Sequence, residues 1–424
     1  MKRERLKIRL SKLIDEYVGR AFILADLALR TFFPRRDSTP GPIRKILFIK
    51  FWGIGSIVLS EPALRWLKQA YPEAEIHYLT LARNRDLFGC IPWIEKVRTL
   101  AFRGSLSFLI RSLLLIRSLR REGYDLVLDG EFFVNFSGLV ARWAEPRCAV
   151  GFSRKEGLKR RLQDVSITFQ SQLHAAEQFL NLARGKATTL PQPPRPVLNR
   201  QGASSLELAF ENRPYVVINV NASSLALERR WPRERFVRLG KSLLGKYDFD
   251  LVLIGSKGEM AYVAPLEQAW RPSRRVHNWT GLLNLPQLAS LLASALLLVS
   301  NDSGPIHLAS AFGVPVVGFY GPETPLRYGP LSPHRLVFYE NLWCSPCMSV
   351  DNAKTVNCIN NVACMKEIKT AHVIREVHQF IRQQVVPGAG PRRQQSAAAH
   401  PEAGSDEIRV QRLSCGGNRI KDHA

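Results

Sequence analysis

The residues best suited to chemistry follow the apolar run "ALLLVS", in the stretch "NDSGPIHLASAFGVPVVGFYG" at 301–321. Asp302 and Ser303 are turn and helix-capping types, Gly304 suits the turn, and Pro305 suits a first helical turn. The start of such a helix presents unpaired N–H groups and a partial positive charge, which together bind anions. His307 falls in the same first turn, within reach of an anion bound there. Because helix capping does not require a histidine, its presence favours a diphosphate site over an ordinary helix start.

A second stretch, "KFWGIGSIVLSEP" at 50–62, places a glycine-rich corner between an apolar run and a helical pattern. Nucleotide-binding α/β domains begin with this order of strand, turn and helix, although the spacing here is G-x-G without a third glycine. Gly53 and Gly55 would let an acceptor or a phosphate approach the backbone closely. Ser56 follows them, and a hydroxyl at that point predicts a helix cap.

Four of the seven cysteines fall within "CSPCMSVDNAKTVNCINNVAC", which contains Cys344, Cys347, Cys358 and Cys364. The C-x2-C pair followed by two more thiols can hold a tetrahedral zinc ion. A structural zinc site and reduced loop thiols both remain open, and no catalytic role is expected. Disulfides are disfavoured because no export signal is recognised.

The charge of the chain is strongly basic, with 60 Lys and Arg against 36 Asp and Glu, a formal net charge of +24. Such a field attracts phosphates on nucleotides, glycans or anionic lipids. The basic residues are scattered and no stacking-aromatic motif accompanies them, so nucleic acid is not expected as a partner.

The first 32 residues read as a basic amphipathic helix, with Leu6, Leu10, Leu13 and Tyr17 at helical spacing. Such a helix suits an anionic membrane surface, and packing against the domain behind it is an equal alternative. No stretch meets the criterion of about 18–20 uncharged apolar residues for a membrane span.

Two blocks of alternating strand and helix patterns must position these residues. The predicted strands are "KILFIKF" (45–51), "AEIHYLTL" (74–81), "KVRTLAF" (96–102), "YDLVLDG" (124–130) and "RCAVGF" (147–152), then "YVVINV" (215–220), "FDLVLIGS" (249–256), "ALLLVS" (295–300), "VPVVGFYG" (314–321) and "RLVFYE" (335–340). This alternation predicts an α/β protein with two doubly wound, Rossmann-like sheets, whose ligands bind beyond the carboxyl ends of the strands in a common cleft.

Composition divides the chain further. We predict a basic amphipathic segment and linker at 1–43, an N-terminal Rossmann-like domain at 44–183 and a proline-rich connection at 184–213. The C-terminal Rossmann-like domain at 214–386 contains the cysteine-rich loop 344–364, and a disordered tail is expected at 387–424.

The sequence from about residue 44 to about 382 resembles glycosyltransferase family 9, the lipopolysaccharide heptosyltransferases. The resemblance is carried by "NDSGPIHLASAFGVPVVGFYGPETPLRYGP", by "KILFIKFWGIGSIVLSEPALRWLKQAYPEAEIHYLT" and by "ERRWPRERFVRLG". It implies the two-domain GT-B fold, with a nucleotide sugar, by family ADP-heptose, bound mainly by the C-terminal domain.

The resemblance also assigns donor-site residues. Asp302, Ser303, Gly304 and His307 match the family segment D-[ST]-G-x-x-H around the donor sugar and diphosphate. Arg229, two residues before Trp231, stands where the family often has a phosphate-binding lysine. Glu259, in "LIGSKGEM", matches a glutamate that commonly meets the nucleoside.

One position departs from the family. The turn there usually reads Gly-Asp, and that aspartate is thought to deprotonate the acceptor hydroxyl, whereas this chain has Ser56. A neutral serine cannot take a proton near pH 7 without a partner base. Either another carboxylate substitutes (Glu131 first, then Glu61, with Asp129 beside Glu131), or a phosphate on the acceptor takes the proton, or the protein binds without transferring. Substitution by Glu131 is the preferred account, because strand ends line the cleft.

The resemblance therefore implies an inverting glycosyltransferase that needs no cofactor or metal for catalysis. Its expected partners are a nucleotide sugar, a lipid-linked glycan acceptor and an anionic membrane surface at the cytoplasmic face of a bacterial inner membrane. The alternative to an enzyme is a binding protein of the same fold, which would bind a sugar nucleotide or glycan without transferring it.

Overall fold

The computed structural model describes residues 2–32, 41–101, 105–154, 157–200, 213–223, 226–271, 273–350, 352 and 356–385. Outside these ranges lie residues 33–40 of the segment and linker predicted at 1–43, residues 201–212 of the connection predicted at 184–213, and the whole of the tail predicted at 387–424.

The N-terminal sheet has six parallel strands in the order β3-β2-β1-β4-β5-β6. The strands are β1 (Lys45–Ile49), β2 (Glu75–Leu81), β3 (Lys96–Leu100), β4 (Leu126–Asp129), β5 (Cys148–Ser153) and β6 (Val165–Thr168). The sequence predicted the first five. It missed β6 because "VSIT" is short and half polar, with no continuous apolar run.

Helices cover both faces of this sheet. They are α1 (Lys2–Phe32), α2 (Ile54–Leu59), α3 (Glu61–Ala70), α4 (Ser105–Glu122), α5 (Asn135–Trp143) and α6 (Ala175–Arg184). Two 3-10 segments, Ala82–Cys90 and Leu158–Leu162, connect neighbouring elements.

The C-terminal sheet repeats the plan in the order β12-β11-β10-β7-β8-β9, again all parallel. Its strands are β7 (Tyr215–Asn219), β8 (Asp250–Leu253), β9 (Val276–Asn278), β10 (Leu297–Asn301), β11 (Val316–Tyr320) and β12 (Arg335–Tyr339). The three-residue strand β9 was not predicted. Two doubly wound sheets in tandem confirm the predicted fold class.

The helices of the second half flank that sheet. They are α7 (Arg233–Lys246), α8 (Met260–Trp270), α9 (Leu285–Ser294), α10 (Gly304–Ala311), α11 (Pro325–Tyr328), α12 (Ala363–Lys366) and α13 (Thr370–Phe380), the last continued by a π-helical turn, Ile381–Val385. The turns Leu227–Arg229 and Lys257–Glu259 are 3-10 helical.

The apolar core runs without a break from one domain to the other. Ile57 and Leu59 of α2 belong to the same buried cluster as Ile306 and Leu308 of α10, and all four side chains are 0–1% exposed. The two domains therefore meet through packed helices at the carboxyl ends of both sheets.

Helix α1 packs along α5. The carboxylate of Asp15 accepts hydrogen bonds from the backbone N–H groups of Asn135 and Phe136, at 2.9 and 2.8 Å. Further along, the indole N–H of Trp143 donates to Asp26 at 2.9 Å, and the rings of Phe22 and Trp143 are 6.1 Å apart. One face of α1 thus lies on the domain. Among the described residues, no helix is both long enough and apolar enough to cross a membrane.

His174, the N-cap of α6, joins the two domains. Its Nδ1 accepts from the backbone N–H of Ala176 at 3.2 Å, so the proton is on Nε2, which donates to the carbonyl of Gly329 at 3.1 Å. Burial lowers the pKa of His174 to about 4. The imidazole is therefore neutral in the folded protein at pH 7.

We expect this histidine to make stability pH-dependent below its ordinary pKa of 6.5. The unfolded chain takes up the proton first, so the free energy of unfolding should fall as pH drops from about 6.5 to about 4, by roughly 3 kcal/mol in total. Urea titrations over this range should show this contribution to the slope, and His174→Gln should lower the total change by about 3 kcal/mol. The matched variant of an exposed histidine, His334→Gln, should keep it, and an unchanged slope in His174→Gln would contradict the assignment.

Candidate active site

The two glycine-rich helix starts predicted from the sequence face each other across the cleft. Helix α2 begins after β1 and α10 begins after β10. A Cβ on Gly55 would stand 2.5 Å from Cδ2 of His307, and one on Gly304 would stand 3.4 Å from Cβ of Ile54. The structure thus brings the predicted acceptor turn and the predicted donor helix into direct contact.

At the acceptor turn, Gly53 has a φ of 84°, a conformation that favours glycine. It is the N-cap of α2, and no side chain makes a capping hydrogen bond there. Ser56 is the third residue of the helix, and its Oγ lies 3.3 Å from where a Gly53 Cβ would stand. The prediction that Ser56 caps the helix is therefore wrong, because the helix begins two residues before it.

At the donor helix, Ser303 occupies the N-cap of α10 but makes no capping hydrogen bond. Its hydroxyl instead accepts from the side-chain amide of Asn219 at 2.8 Å and lies 3.0 Å from the hydroxyl of Ser300. Ser303 therefore does not cap this helix with its side chain. Pro305 has no N–H group, and the N–H of Ile306 donates to the carbonyl of Ser303 at 3.3 Å. The N–H of Gly304 thus remains as the helix-start donor suited to an anionic ligand.

Arg229 and Asp302 form an ion pair beside this helix start. A terminal guanidinium nitrogen of Arg229 is 3.2 Å from Oδ2 of Asp302, and the two side chains are 12% and 6% exposed. The 3-10 turn Leu227–Arg229 holds Arg229, whose Nε also donates to the carbonyl of Ala226 at 3.4 Å. The structure therefore joins the cation and the acid that the sequence placed in one site.

Glu259 lies beyond the end of β8, in the neighbouring loop of the same sheet. Its Oε2 accepts from the backbone N–H and the hydroxyl of Ser256, both at 2.8 Å, and its Oε1 is 3.6 Å from Arg230. The Arg230 guanidinium stacks 3.9 Å over the ring of Tyr262. This edge presents a carboxylate, a cation and an aromatic ring together.

The carboxylate of Glu131, just after β4, holds the turn before α2 in place. Its Oε1 accepts from the backbone N–H groups of Phe51 and Trp52, at 2.7 and 3.1 Å, and its Oε2 pairs with Lys50 at 2.7 Å. Lys50 and Glu131 are 4% and 5% exposed. Both oxygens are engaged, which favours positioning over proton transfer, and the general-base role of Glu131 stays a prediction.

Asp129 forms a second buried ion pair at the same edge. Its Oδ2 is 2.7 Å from Nζ of Lys159 and accepts from the hydroxyl of Ser137 at 3.0 Å. Burial raises the pKa of Asp129, and Lys159 opposes that rise. The lysine also donates to the carbonyl of Glu131 at 2.6 Å, so it ties the two acids together.

Glu61, the remaining candidate base, lies under the interdomain connection. Its oxygens accept from the indole of Trp93 and from the backbone N–H of Val197, both at 2.8 Å, and Arg65 is 3.7 Å away. Burial raises the pKa of Glu61. These contacts attach the connection to α3, and they do not bring Glu61 to the turn.

Sequence reasoning missed the two lysines and a third buried pair, Glu323–Arg327, at 3.0 Å. Lys50 carried the clearest signal, since it interrupts the apolar run "KILFIKF" of a strand expected to be fully buried. Lys159 carried no such signal, because the pattern "GLKRRL" is typical of an ordinary basic loop.

The four clustered cysteines border one cavity of about 140 Å³, next to Glu228 and Pro322. Burial raises the pKa of Cys364 to about 11, and the neighbouring thiols add to the rise. As placed among the described residues, no three His, Cys, Asp or Glu side chains form a set that could hold a metal ion. The structure thus gathers the four thiols without giving them ligating geometry.

Comparison with known proteins identifies the family. The model of glycosyltransferase family 9 (heptosyltransferase) matches residues 112–356, more than half of the chain. The chain belongs to this family. It is accordingly a glycosyltransferase, and the family resemblance drawn from the sequence is confirmed.

Individual relatives and solved structures agree with this family assignment. The chain is 29% identical over 313 residues to lipooligosaccharide heptosyltransferase 2 of Haemophilus ducreyi, an alignment covering 69% of this chain and 88% of the relative. The structure of E. coli ADP-heptose lps heptosyltransferase II superposes with a TM-score of 0.65 at 22% identity, covering 80% of this chain and 99% of that one.

A second structural neighbour is E. coli heptosyltransferase WaaC with ADP-2-deoxy-2-fluoro heptose, with a TM-score of 0.59 at 19% identity, covering 79% of this chain and 99% of that one. At these identities the structural likeness shows the fold, and it agrees with the GT-B prediction.

Proposed function

We propose that this protein transfers a heptose from ADP-heptose to a hydroxyl of a lipid-linked glycan, with inversion at the anomeric carbon. The product would enter lipopolysaccharide or a related cell-surface glycan. The observation that carries the proposal is the uncapped start of α10, which faces the turn at Gly55 with the Arg229–Asp302 pair beside it. The WaaC structure cited above holds an ADP-sugar analogue, which supports this choice of donor.

In the proposed reaction the acceptor hydroxyl approaches beside Gly53 and Gly55 and attacks the anomeric carbon. The bond from that carbon to the diphosphate breaks, and ADP departs with the negative charge. Arg229 and the N–H group of Gly304 at the start of α10 stabilise this charge, and Asp302 orients the guanidinium. We propose that no metal ion takes part, because these fixed positive groups already stand where a metal would act.

The contacts of the three candidate carboxylates support one account of where the acceptor proton goes. Ser56 carries no charge, Asp129 is paired with Lys159, and Glu61 is held by Trp93 and the connection. Glu131 lies at the turn with both oxygens engaged. We therefore favour the account in which a phosphate on the acceptor takes the proton, with Glu131 keeping the turn in shape.

The basic first helix places the enzyme beside its acceptor in this proposal. The outer side of α1 exposes Leu13, Ile14 and Tyr17, at 53%, 51% and 69%. Lysines and arginines at 2, 3, 5, 7, 9 and 12 precede them in the sequence. An apolar face with a basic flank binds anionic lipid surfaces. We propose peripheral attachment at the cytoplasmic face of a bacterial inner membrane.

A donor assay tests the function. The protein is incubated with ADP-heptose or with UDP- and GDP-sugars, each with and without a lipid-linked core glycan, and nucleotide release is measured. We expect ADP release that depends on the acceptor, and a glycan product whose new linkage has inverted configuration by NMR. Calorimetric binding of ADP without release from any donor would support the non-catalytic alternative instead.

We also propose that the four cysteines hold one structural ion, zinc being the first candidate. The shared cavity supports this, although the thiols would have to move closer together to bind. Elemental analysis of protein purified under reducing conditions should find about one metal per chain. Cys347→Ser with Cys364→Ser should lose it, whereas Cys90→Ser, a buried cysteine elsewhere, should keep it. Metal-free wild-type protein would contradict the proposal.

A further inference from the structure

Helix α4 exposes an apolar stripe with no described element packed over it. Leu109, Ile110, Leu113 and Leu114 are 50%, 50%, 56% and 62% exposed. These residues are two adjacent pairs separated by four positions, about one helical turn, so they form one patch on the outer side of the helix. Contiguous exposed apolar patches on a soluble domain mark interaction sites.

The stripe lies beside helix α1, with α5 between them. Near the start of α5, the ring of Phe108 is 5.1 Å from that of Phe136, next to the point where Asp15 of α1 contacts the same helix. Near its end, Nε of Arg120 donates to the carbonyl of Trp143 at 2.6 Å, and Asp26 of α1 accepts from the indole of Trp143. Helices α1, α5 and α4 therefore run parallel in one layer.

Both outer helices expose apolar residues at the cleft end of this layer, and on α1 the exposed apolar residues continue along the helix to Leu24 and Leu29, which are 54% and 59% exposed. Helix α5 starts just after the carboxyl end of β4, so its first turn marks the cleft side of the domain. Leu13 and Ile14 precede Asp15 in α1, and the stripe of α4 starts directly after Phe108. Trp52, 43% exposed, follows β1 at this edge. The helical turns of α1 before Asp15 extend about 20 Å beyond the contact.

Helix α4 also carries positive charges beside its apolar stripe. Arg111, Arg117, Arg120 and Arg121 are all exposed, and the first acid in the helix is Glu122, its last residue. An apolar patch with arginines on its flank complements an anionic bilayer, where the leucines enter the interface and the guanidinium groups meet phosphates.

We propose that the stripe on α4 is a second membrane-binding element, which acts with α1 to hold the mouth of the cleft against an anionic phospholipid surface. This inference builds on the proposed membrane attachment and adds orientation to it. Membrane contacts through α1 on one side of α5 and through α4 on the other side fix the orientation of the domain on the membrane. With α1 as the one contact, the domain could rotate about that helix. A lipid-linked acceptor would then enter the cleft from the bilayer directly.

The test measures co-sedimentation of the full chain with vesicles of phosphatidylethanolamine and phosphatidylglycerol. Leu113→Gln with Leu114→Gln should lower the partition coefficient about tenfold, since two apolar side chains leave the interface. The matched control, Leu282→Gln with Leu326→Gln, changes two leucines that are 69% and 75% exposed in the C-terminal domain and should leave partitioning unchanged. Equal partitioning of the α4 variant and wild type would overturn the proposal.

Two further readouts separate this proposal from others. The α4 variant should retain wild-type ADP release with a water-soluble, delipidated acceptor. If release falls with the soluble acceptor while partitioning is unchanged, the stripe serves the active site and the membrane role is overturned. Light scattering without vesicles should give one mass for the variant and wild type. A mass that halves in the variant would make the stripe an interface between copies and would likewise overturn the proposal.

Discussion

Replacing Arg229 with glutamine should lower kcat/KM for the sugar donor by about 10²–10³, the loss seen when one stabilising donor is removed from a developing negative charge. Arg229 is 12% exposed and sits 3.2 Å from Asp302, beside the uncapped start of α10. Glutamine keeps much of the length of the side chain but removes the charge. The departing diphosphate would then be stabilised by the helix alone.

Two variants make this result specific. Arg229→Lys keeps the charge but not the planar fork and should cost about tenfold. Arg238→Gln removes an exposed arginine from the neighbouring helix α7 and should have no effect beyond about twofold. Steady-state kinetics with ADP release as the signal, together with thermal melting, would separate lost chemistry from lost stability. An Arg229→Gln enzyme within threefold of wild type would remove this residue from the donor site.

The sequence was sufficient to bring the proposed donor-site residues together, because most of them lie in one local segment. Asp302 to His307 form one continuous segment after a buried strand, and a parallel sheet sends such a segment to the carboxyl edge whatever else surrounds it. Arg229 could be added because the family motif fixes its distance from Trp231. The predicted fold class needed only the alternation of apolar runs and helical patterns.

The acceptor side could not be predicted in the same way, because its contacts join distant parts of the chain. Lys50 and Glu131 are separated by 81 residues, and His174 meets Gly329 across 155. Neither partner can be chosen from spacing alone. The sequence therefore identified Glu131 as a carboxylate at a strand end, but it gave no sign that a buried lysine and two backbone N–H groups already use its oxygens.

Ser56 shows a third kind of difficulty. Its residue type suggested a helix cap, but the sequence did not show at which residue the helix begins. A hydroxyl next to a glycine turn usually caps a helix. Here Gly53, with its positive φ, lets the helix begin earlier, at Ile54. Boundaries of short elements depend on such single dihedral angles, which a sequence pattern does not resolve.

Glu131→Gln should cost both stability and activity, and the stability loss should be large. The amide can keep its oxygen on the N–H groups of Phe51 and Trp52, but its NH2 group then faces Nζ of Lys50. A buried lysine without a carboxylate costs about 3–5 kcal/mol of folding free energy. We expect urea denaturation to show a loss of this size.

A double variant separates the two roles of Glu131. Adding Lys50→Met to Glu131→Gln removes the unpaired charge, and replacing both members of a buried pair is often neutral. If Glu131 only shapes the turn, the glutamine oxygen still accepts from Phe51 and Trp52, so kcat should return to within about tenfold of wild type. If Glu131 is the general base, stability should return while kcat stays about 10²–10⁴ lower.

We expect the first outcome, because Oε1 of Glu131 accepts from Phe51 and Trp52 and Oε2 is paired with Lys50, so the described contacts of this carboxylate all hold the turn in shape. The control is Asp129→Asn with Lys159→Met, which neutralises the neighbouring buried pair and changes contacts to the backbone of Glu131 but none to its carboxylate. This double variant should keep kcat within about tenfold of wild type. Assays on acceptors with and without a phosphate near the reacting hydroxyl then complete the test: if the phosphate takes the proton, its removal should lower kcat in the wild type and in the Glu131→Gln double variant by the same factor.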